Sequence, residues 1–452
     1  MTLTATRLLE SLKQLPQASC CHLAFSGGLD SCVLLHLLAE LRPRLPYELR
    51  ALHVDHGLQA EAAEWQRHCE TICESYDIPL DSVQLTLSPT PGESVEAVAR
   101  EARYQALAAC MGEGDLLLTA QHQDDQAETL LLQLLRGSGP AGLAAMPSVA
   151  RFEPGWLARP LLQVSRITLE VYAEQQGLTW HEDPSNQNLR FDRNFIRHQV
   201  MPLLRSRWPA ASMTLSRAAR FSGELLTLVK EEAEEDLVKA RYGDSDTLSI
   251  TALKQLHSVR LRNLLRHWMA ASGATMPNSK KLARIELESV HGRIDTVPLI
   301  TWGGWEVRRY RDQLFLDRAR PATNPIGVIP WSDKRLLELP DGLGRLIVEP
   351  SAEGISAARW RQGEVEVRFR RGGERCQPAG QAHHRPLKKL LQAWCVPPWE
   401  RDRLPLIYLD GVLAAIPGRI NCQPFMALPG EEAIQVRWEE ALSESWLGHS
   451  KD

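Results

Sequence analysis

Long hydrophobic runs are missing from this 452-residue chain. No apolar stretch approaches the ~18 residues that a membrane span needs, so no membrane partner is expected. Cysteine is sparse and unpaired: there are nine, with no C-x-x-C anywhere. Cys69 and Cys73 lie one helical turn apart, but no second pair partners them. That argues against a zinc or iron–sulfur site, and the nine read as reduced packing thiols. A Gly-Lys dipeptide is also absent, which excludes a Walker A loop. The net charge is only -4. That balance does not exclude nucleic acid, because local clustering is what matters. The opening "MTLTATRLLESLKQLPQ" lacks a charged-then-apolar signal and reads as a short amphipathic helix. A cytoplasmic location is the expectation.

What is present is an ordinary folded mixture, 44% hydrophobic and 24% charged, long enough for about three domains. The expected divisions are 1–215, 216–325 and 330–452. Strand-length apolar runs occur at "CCHLAF" (20–25), "LRALHV" (49–54), "DSVQLTL" (81–87) and "DLLLTA" (115–120). Helical patterns separate them, at about 32–41, 60–76, 94–111 and 125–136. This alternation predicts an α/β fold with a doubly wound parallel sheet. "RPLL" (159–162) is a candidate fifth strand. A mainly helical middle domain and a small, mixed, β-rich C-terminal domain are expected to follow. "KEEAEEDL" is expected on a solvated helix face, and "RPATNPIG" as a linker.

Ligands of such sheets bind beyond the carboxyl ends of the strands. Polar residues follow the runs there: "SGGLDS" (26–31), "DHGL" (55–58) and "QHQDD" (121–125). Gly27 and Gly28 at a helix N-terminus clear space for a phosphate, and the helix dipole favours it. Ser26 and Ser31 add hydroxyl donors. Asp30 would repel a bare phosphate, so a cation is expected between them, and Mg²⁺ suits that arrangement. "GSGPAG" (137–142) matches G-x-G-x-x-G but follows a helix, so it is not a dinucleotide fingerprint.

Ser-Gly-Gly-x-Asp-Ser after the first strand resembles the PP-loop of ATP pyrophosphatases. That resemblance implies ATP bound at Ser26, Gly27, Gly28, Leu29, Asp30 and Ser31, with His53 and Asp55 near the adenosine. It also implies cleavage between the α and β phosphates, with Mg²⁺ held at Asp30 through the phosphates. "HVDHGL", "EAVAREARYQAL", "QHQDDQAETLLLQLLRGSGPAGLAAM", "EDPSN", "RNFIR", "RRGGERCQP" and "LKKLLQAWCVPPWERDRLPLIY" occur in order. Together they are similar to the tRNA(Ile)-lysidine synthetase family. The family shows HHxDD where this chain has "QHQDD", so the role of the second histidine is in doubt. The resemblance implies adenylation of the wobble cytidine O2 in a CAU-anticodon tRNA(Ile). Free L-lysine then attacks C2 through its ε-amine and releases AMP.

Lysine must lose a proton to attack, since its side-chain pKa is near ~10.4. Carboxylates can bind the ammonium, and one with a raised pKa can act as base. Asp125 and Glu128 are at i, i+3 on a helix and share a face; Asp124 can share it too. Acidic residues also suit a helix's first turn for dipole reasons alone. The resemblance gives catalytic roles to Asp30, Asp125, Glu128 and Arg197. Arg193 and Arg197 are at i, i+4 with Asn194 between, placed to clamp phosphate or the target nucleotide. Asp183, Ser185 and Asn186 fit a turn and cap. Arg100 and Arg103, one turn apart, face ATP phosphates or tRNA, or merely solvent. Arg136 closes the carboxylate helix. No third ligand joins His53 and His56 for a metal.

Nine Lys/Arg lie between Arg359 and Lys389, against Glu364, Glu366 and Glu374. Arg370, Arg371, Lys388 and Lys389 are candidates for tRNA backbone contact, with the "RRGG" turn bringing backbone near a phosphate. Three rival readings compete with this one. A PP-loop thiolation enzyme needs a persulfide cysteine or a cluster. A synthetase with a small-molecule acceptor needs no basic C-terminal region. An inactive binding protein would not keep Ser26, Asp30, Asp125 and Glu128.

Overall fold

A computed structural model describes residues 3–55, 62–85, 95–243, 245–293, 296–319 and 327–440. The chain divides into two compact units, Met1–Glu235 and Asp236–Asp452. His56 and residues 86–87 of the third apolar run lie outside the described residues.

The first unit is built on six strands: β1 (Cys20–Ala24), β2 (Glu48–Asp55), β3 (Leu80–Gln84), β4 (Leu116–Leu118), β5 (Val149–Phe152) and β6 (Gly155–Ala158). Their order is β3-β2-β1-β4-β6-β5. All neighbours are parallel except β5, which pairs antiparallel with β6 at the edge. The fifth parallel strand is therefore "GWLA", not "RPLL". Pro160 has no N–H for a ladder, and residues 160–163 turn instead, sinking Leu161 into the core.

Helices cover both faces. On one lie α1 (Ala5–Leu12), α2 (Leu29–Leu41), α3 (Ala62–Ser75) and, later in the chain, α7 (Arg166–Gln176). Helix α2 is apolar nearly all round because the sheet covers one side and α1 and α7 the other. On the opposite face α4 (Val95–Ala109) sets Leu107 against Leu52, Leu117 and Leu157. Helix α5 (Gln123–Leu135) starts beyond β4, followed by a turn of helix, α6 (Pro140–Leu143). The "FDRNFIRHQVMPLL" segment forms α8 (Asp192–Phe195), a π turn (Ile196–Val200) and α9 (Met201–Arg207). Helix α7 stops where expected, at Gly177 with φ 63°.

In the second unit a helix, Ser258–Ala271, shares a core with a four-stranded antiparallel sheet that includes Trp305–Tyr310 and Gln313–Arg318. The "KEEAEEDL" stretch is not wholly solvated. Asp236 is buried and holds Arg260 through bonds of 2.6 and 3.0 Å. Beyond residue 327 strands dominate, in sheets of five, four and two. "RPLKKLLQAW" supplies the helix Leu387–Ala393, with Leu387, Leu390 and Leu391 buried. Among the described residues no helix is long and apolar enough to cross a membrane.

Candidate active site

The glycine loop joins β1 to α2. Helix α2 has Gly28 at its N-cap and no side chain capping it. By contrast His122 caps α5 and Ser165 caps α7. The first N–H groups of α2 are thus left for an anion. Ser26 Oγ and Ser31 Oγ lie 3.2 Å apart, and Ser31 donates to the Gly28 carbonyl at 2.9 Å. Leu29 is buried beneath the turn.

The two glycines serve different ends. Gly27 has φ +73°, and a Cβ there would sit 2.8 Å from Cys69 Sγ. Its glycine is demanded by backbone conformation and by α3, not by a ligand. At Gly28 an added Cβ would meet only ordinary contacts, at 3.5 Å and beyond. Nothing in the chain itself would block a side chain at Gly28.

His53 is buried and hydrogen-bonded through Nδ1 to the Phe25 carbonyl, 2.9 Å away. It ties β2 to the entrance of the loop. Asp55 ends β2, half-buried.

The carboxylates converge at the start of α5. His122 Nδ1 accepts from the N–H groups of Asp124 (3.2 Å) and Asp125 (3.4 Å). Its proton therefore sits on Nε2, which lies 3.7 Å from Asp30 and 3.4 Å from Asp125. Asp125 closes the capping box by accepting from the His122 N–H. Arg193 Nη2 and Arg197 Nη2 each reach Asp125 Oδ1 at 2.8 Å. The same two arginines grip Glu128, Arg193 through Nε at 3.1 Å and Arg197 through Nε and Nη2 at 2.8 Å. Two carboxylates and two guanidiniums thus form a closed quartet.

Burial pushes the Asp125 carboxyl up, but His122, Arg193 and Arg197 outweigh it and leave its pKa below the ordinary value. That is opposite to the raised value a general base needs. Asp30 differs: burial dominates and lifts it, although His122 and Arg166 pull down. Burial alone would lower Arg197; Glu128 and Asp125 reverse this and raise it.

Three arginines emerge that sequence reasoning did not single out. Arg166 donates to both oxygens of Asp30, at 2.8 and 2.7 Å. Arg205 holds Asp124, whose other oxygen takes the Arg166 N–H at 2.8 Å. Arg159 stands just beyond β6, with its Nη1 on the Pro147 carbonyl. A faint signal marked Arg166: a cation in a helix's first turn opposes the dipole and needs another reason to be there.

Other candidates lie apart. Arg136 ends α5 eleven residues after Asp125, about 16 Å along the axis, and pairs with Asp192 at 3.6 Å. Asn194 is buried and donates to the Asn188 carbonyl, which closes a turn of its own segment. Arg100 is exposed and Arg103 half-buried on α4. In the second unit Lys388 and Lys389 are exposed on the outer face of their helix. Arg370 reaches Asp402 at 3.2 Å. The "RRGG" turn is already filled: Glu374 accepts from the N–H groups of Arg371 (2.5 Å) and Gly372 (2.7 Å). Its backbone is not open to a phosphate in this arrangement.

The parallel sheet, the uncapped helix and the glycine loop define a PP-loop ATP-binding protein. Residues 1–204 match the family described as PP-loop domain. Residues 248–315 match a TilS substrate binding domain, and 365–438 a TilS substrate C-terminal domain. The tRNA(Ile)-lysidine synthase of Coxiella burnetii is 43% identical over 95% of both chains. That of Methylococcus capsulatus is 43% identical, covering 92% of this chain and 95% of its own. That of Shigella flexneri is 40% identical over 98% of this chain and 100% of its own. The chain belongs to the tRNA(Ile)-lysidine synthase family.

Proposed function

We propose that the protein is an ATP-dependent ligase that forms lysidine on tRNA(Ile). It joins free L-lysine to C2 of the wobble cytidine in a CAU anticodon. The observation that carries this reading is the quartet of Asp125, Glu128, Arg193 and Arg197 beside Asp30. A free amino acid brings both ammonium and carboxylate. The quartet offers a partner for each once its internal pairs open: carboxylates for ammonium, guanidiniums for carboxylate.

The α2 N-terminus takes the β and γ phosphates of ATP. Asp30 suits Mg²⁺ because it presents a partly exposed carboxylate, a hard oxygen donor, at the mouth of the loop. Bound there, the ion would supply positive charge to the pyrophosphate leaving group. Arg166, which holds both Asp30 oxygens, would have to release at least one of them. The cytidine O2 attacks the α phosphorus and pyrophosphate leaves. The ε-amine of lysine then attacks C2, and AMP leaves with the former O2. Arg197, with the raised pKa, stays cationic throughout. The basic surface of Lys388 and Lys389 positions the tRNA.

Thiolation is the weaker reading. A persulfide cysteine needs a low pKa and access. Cys32, behind the loop, is pushed up to about 12 by burial, and Cys69 and Cys73 are also raised. The test is transfer of radiolabelled lysine to a CAU-anticodon tRNA(Ile) transcript with Mg-ATP. Label on this transcript, absent when the wobble cytidine is replaced, is expected. AMP formation without label would send the nucleophile assignment elsewhere.

A further inference from the structure

Three guanidiniums surround one phenol on the α4 face, and among the described residues no carboxylate forms an ion pair with any of them. Arg100 Cζ lies 5.2 Å and Arg103 Cζ 5.4 Å from the Tyr104 ring centroid. Arg159 is the deepest, only 7% exposed. Its Nη1 holds the Pro147 carbonyl, but its Nε is buried without a hydrogen-bond partner. The Tyr104 hydroxyl is buried, and the groups that approach it are the guanidiniums of Arg103 and Arg159. Among the described residues none of the three arginines has an ion-pair partner.

Desolvating a guanidinium without a counterion is costly. Burial lowers the pKa of Arg103, and Arg100 and Arg193 add to that. Burial would raise Tyr104, yet Arg100, Arg103 and Arg159 outweigh it and the phenol is held below its ordinary value. The field around Tyr104 is therefore strongly positive. A counter-ion from outside the chain would balance it.

Position identifies its class. Arg159 stands at the carboxyl end of β6, where ligands of such sheets bind. Arg193, felt by Arg103, is a member of the catalytic quartet. A cleft of about 450 Å³, lined by Arg100, Glu101, Tyr104, Gln105, Ala108 and Phe152, opens beside the Tyr104 ring. The phosphates of ATP belong at the α2 N-terminus, on the other face of the sheet from α4. A second phosphate seat next to the quartet suits the other polyanion in the reaction. We infer that Arg103, Arg159 and the Tyr104 hydroxyl seat a backbone phosphodiester of the tRNA strand beside the target cytidine. Arg159 and Tyr104 thereby become positioning residues. This rests on the tRNA reading above.

The test measures binding of an anticodon stem-loop RNA and, separately, of Mg-ATP. Arg159→Gln is expected to weaken RNA binding about tenfold. It should also flatten the salt dependence by about 0.7 in slope, one single-strand phosphate contact. Tyr104→Phe should weaken RNA binding several-fold and leave the slope alone. Mg-ATP affinity should hold in both. Wild-type RNA affinity in a normally folded Arg159→Gln protein overturns the proposal. So does a loss that falls on Mg-ATP, which would give the seat to the nucleotide. If Arg159→Gln does not fold, Arg159→Lys keeps the charge without the planar fork. It should lose RNA affinity at unchanged slope, and wild-type affinity there overturns the inference equally. Wild-type lysine transfer, assayed in parallel, separates failure of the seat from failure of the function.

Discussion

One nitrogen of Arg166, Nη1, bonds both carboxylate oxygens of Asp30. The residue expected to meet the metal and phosphates is thus held by a cation of its own chain. Nucleotide and Mg²⁺ bound at Asp30 would compete with that guanidinium. Asp30→Ala should abolish AMP formation while tRNA binding is largely kept. Arg166→Gln should lower the Mg²⁺ concentration that half-saturates nucleotide binding, read by calorimetry at fixed ATP. A higher requirement would mean that Arg166 aids the metal instead of opposing it.

Glu128 is the most buried member of the quartet, its side chain only 2% exposed. Glu128→Ala should raise the KM for lysine at least ~10-fold, the scale of a lost charge-assisted bond of about 1.5–3 kcal/mol. Pyrophosphate release driven by tRNA and ATP should persist. Unchanged use of lysine would remove Glu128 from the site.

The two loop glycines should separate under substitution. Gly27→Ala forces a side chain into the left-handed region and against Cys69. A loss of about 2–5 kcal/mol is expected from the two costs combined, visible as a lowered Tm without any ligand. Gly28→Ala should melt like the wild type but bind Mg-ATP poorly. The reverse pattern would exchange their roles.

Asp125 gives the site a pH signature. Its folded-state pKa is depressed. A carboxylate of this kind stabilises above its unfolded value of about 3.9, and the contribution disappears as pH falls through the lower folded value. Asp125→Asn should therefore be less stable than wild type at neutral pH, with the gap closing below about pH 4. Asp30 has the opposite sign, being raised. Its ionisation opposes folding at neutral pH, so Asp30→Asn should not share the loss. A gap for Asp125→Asn that ignores pH would contradict the ion-pair account.

Lys388 and Lys389 lie on the exposed face of their helix. Reversing both charges should weaken tRNA binding and flatten its salt dependence. An unchanged slope would place this surface outside the interface.

The sheet and the loop were legible because their signals are local. Apolar runs, glycines and the Asp125–Glu128 spacing all lie within a few residues of one another. The quartet was half legible, since Arg193 and Arg197 share a helix face. Its pairing was not: Arg193 and Glu128 are 65 residues apart, and Arg166 and Asp30 are 136 apart. Ion pairs between distant segments leave no periodic trace. The β5–β6 hairpin was hidden for another reason. "VARF" and "GWLA" are short and carry little alternation, whereas "RPLL" looks apolar but contains a proline. Glu374 filling the "RRGG" turn depends on a loop closing on itself, which composition does not encode.

The central claim is that the wobble cytidine is adenylated on O2 before lysine displaces the adenylate. An anticodon stem-loop carrying ¹⁸O at that cytidine O2, incubated with lysine and Mg-ATP, tests it most directly. The account predicts that mass spectrometry finds the ¹⁸O in the phosphate of the released AMP. Unlabelled AMP alongside lysidine would contradict it.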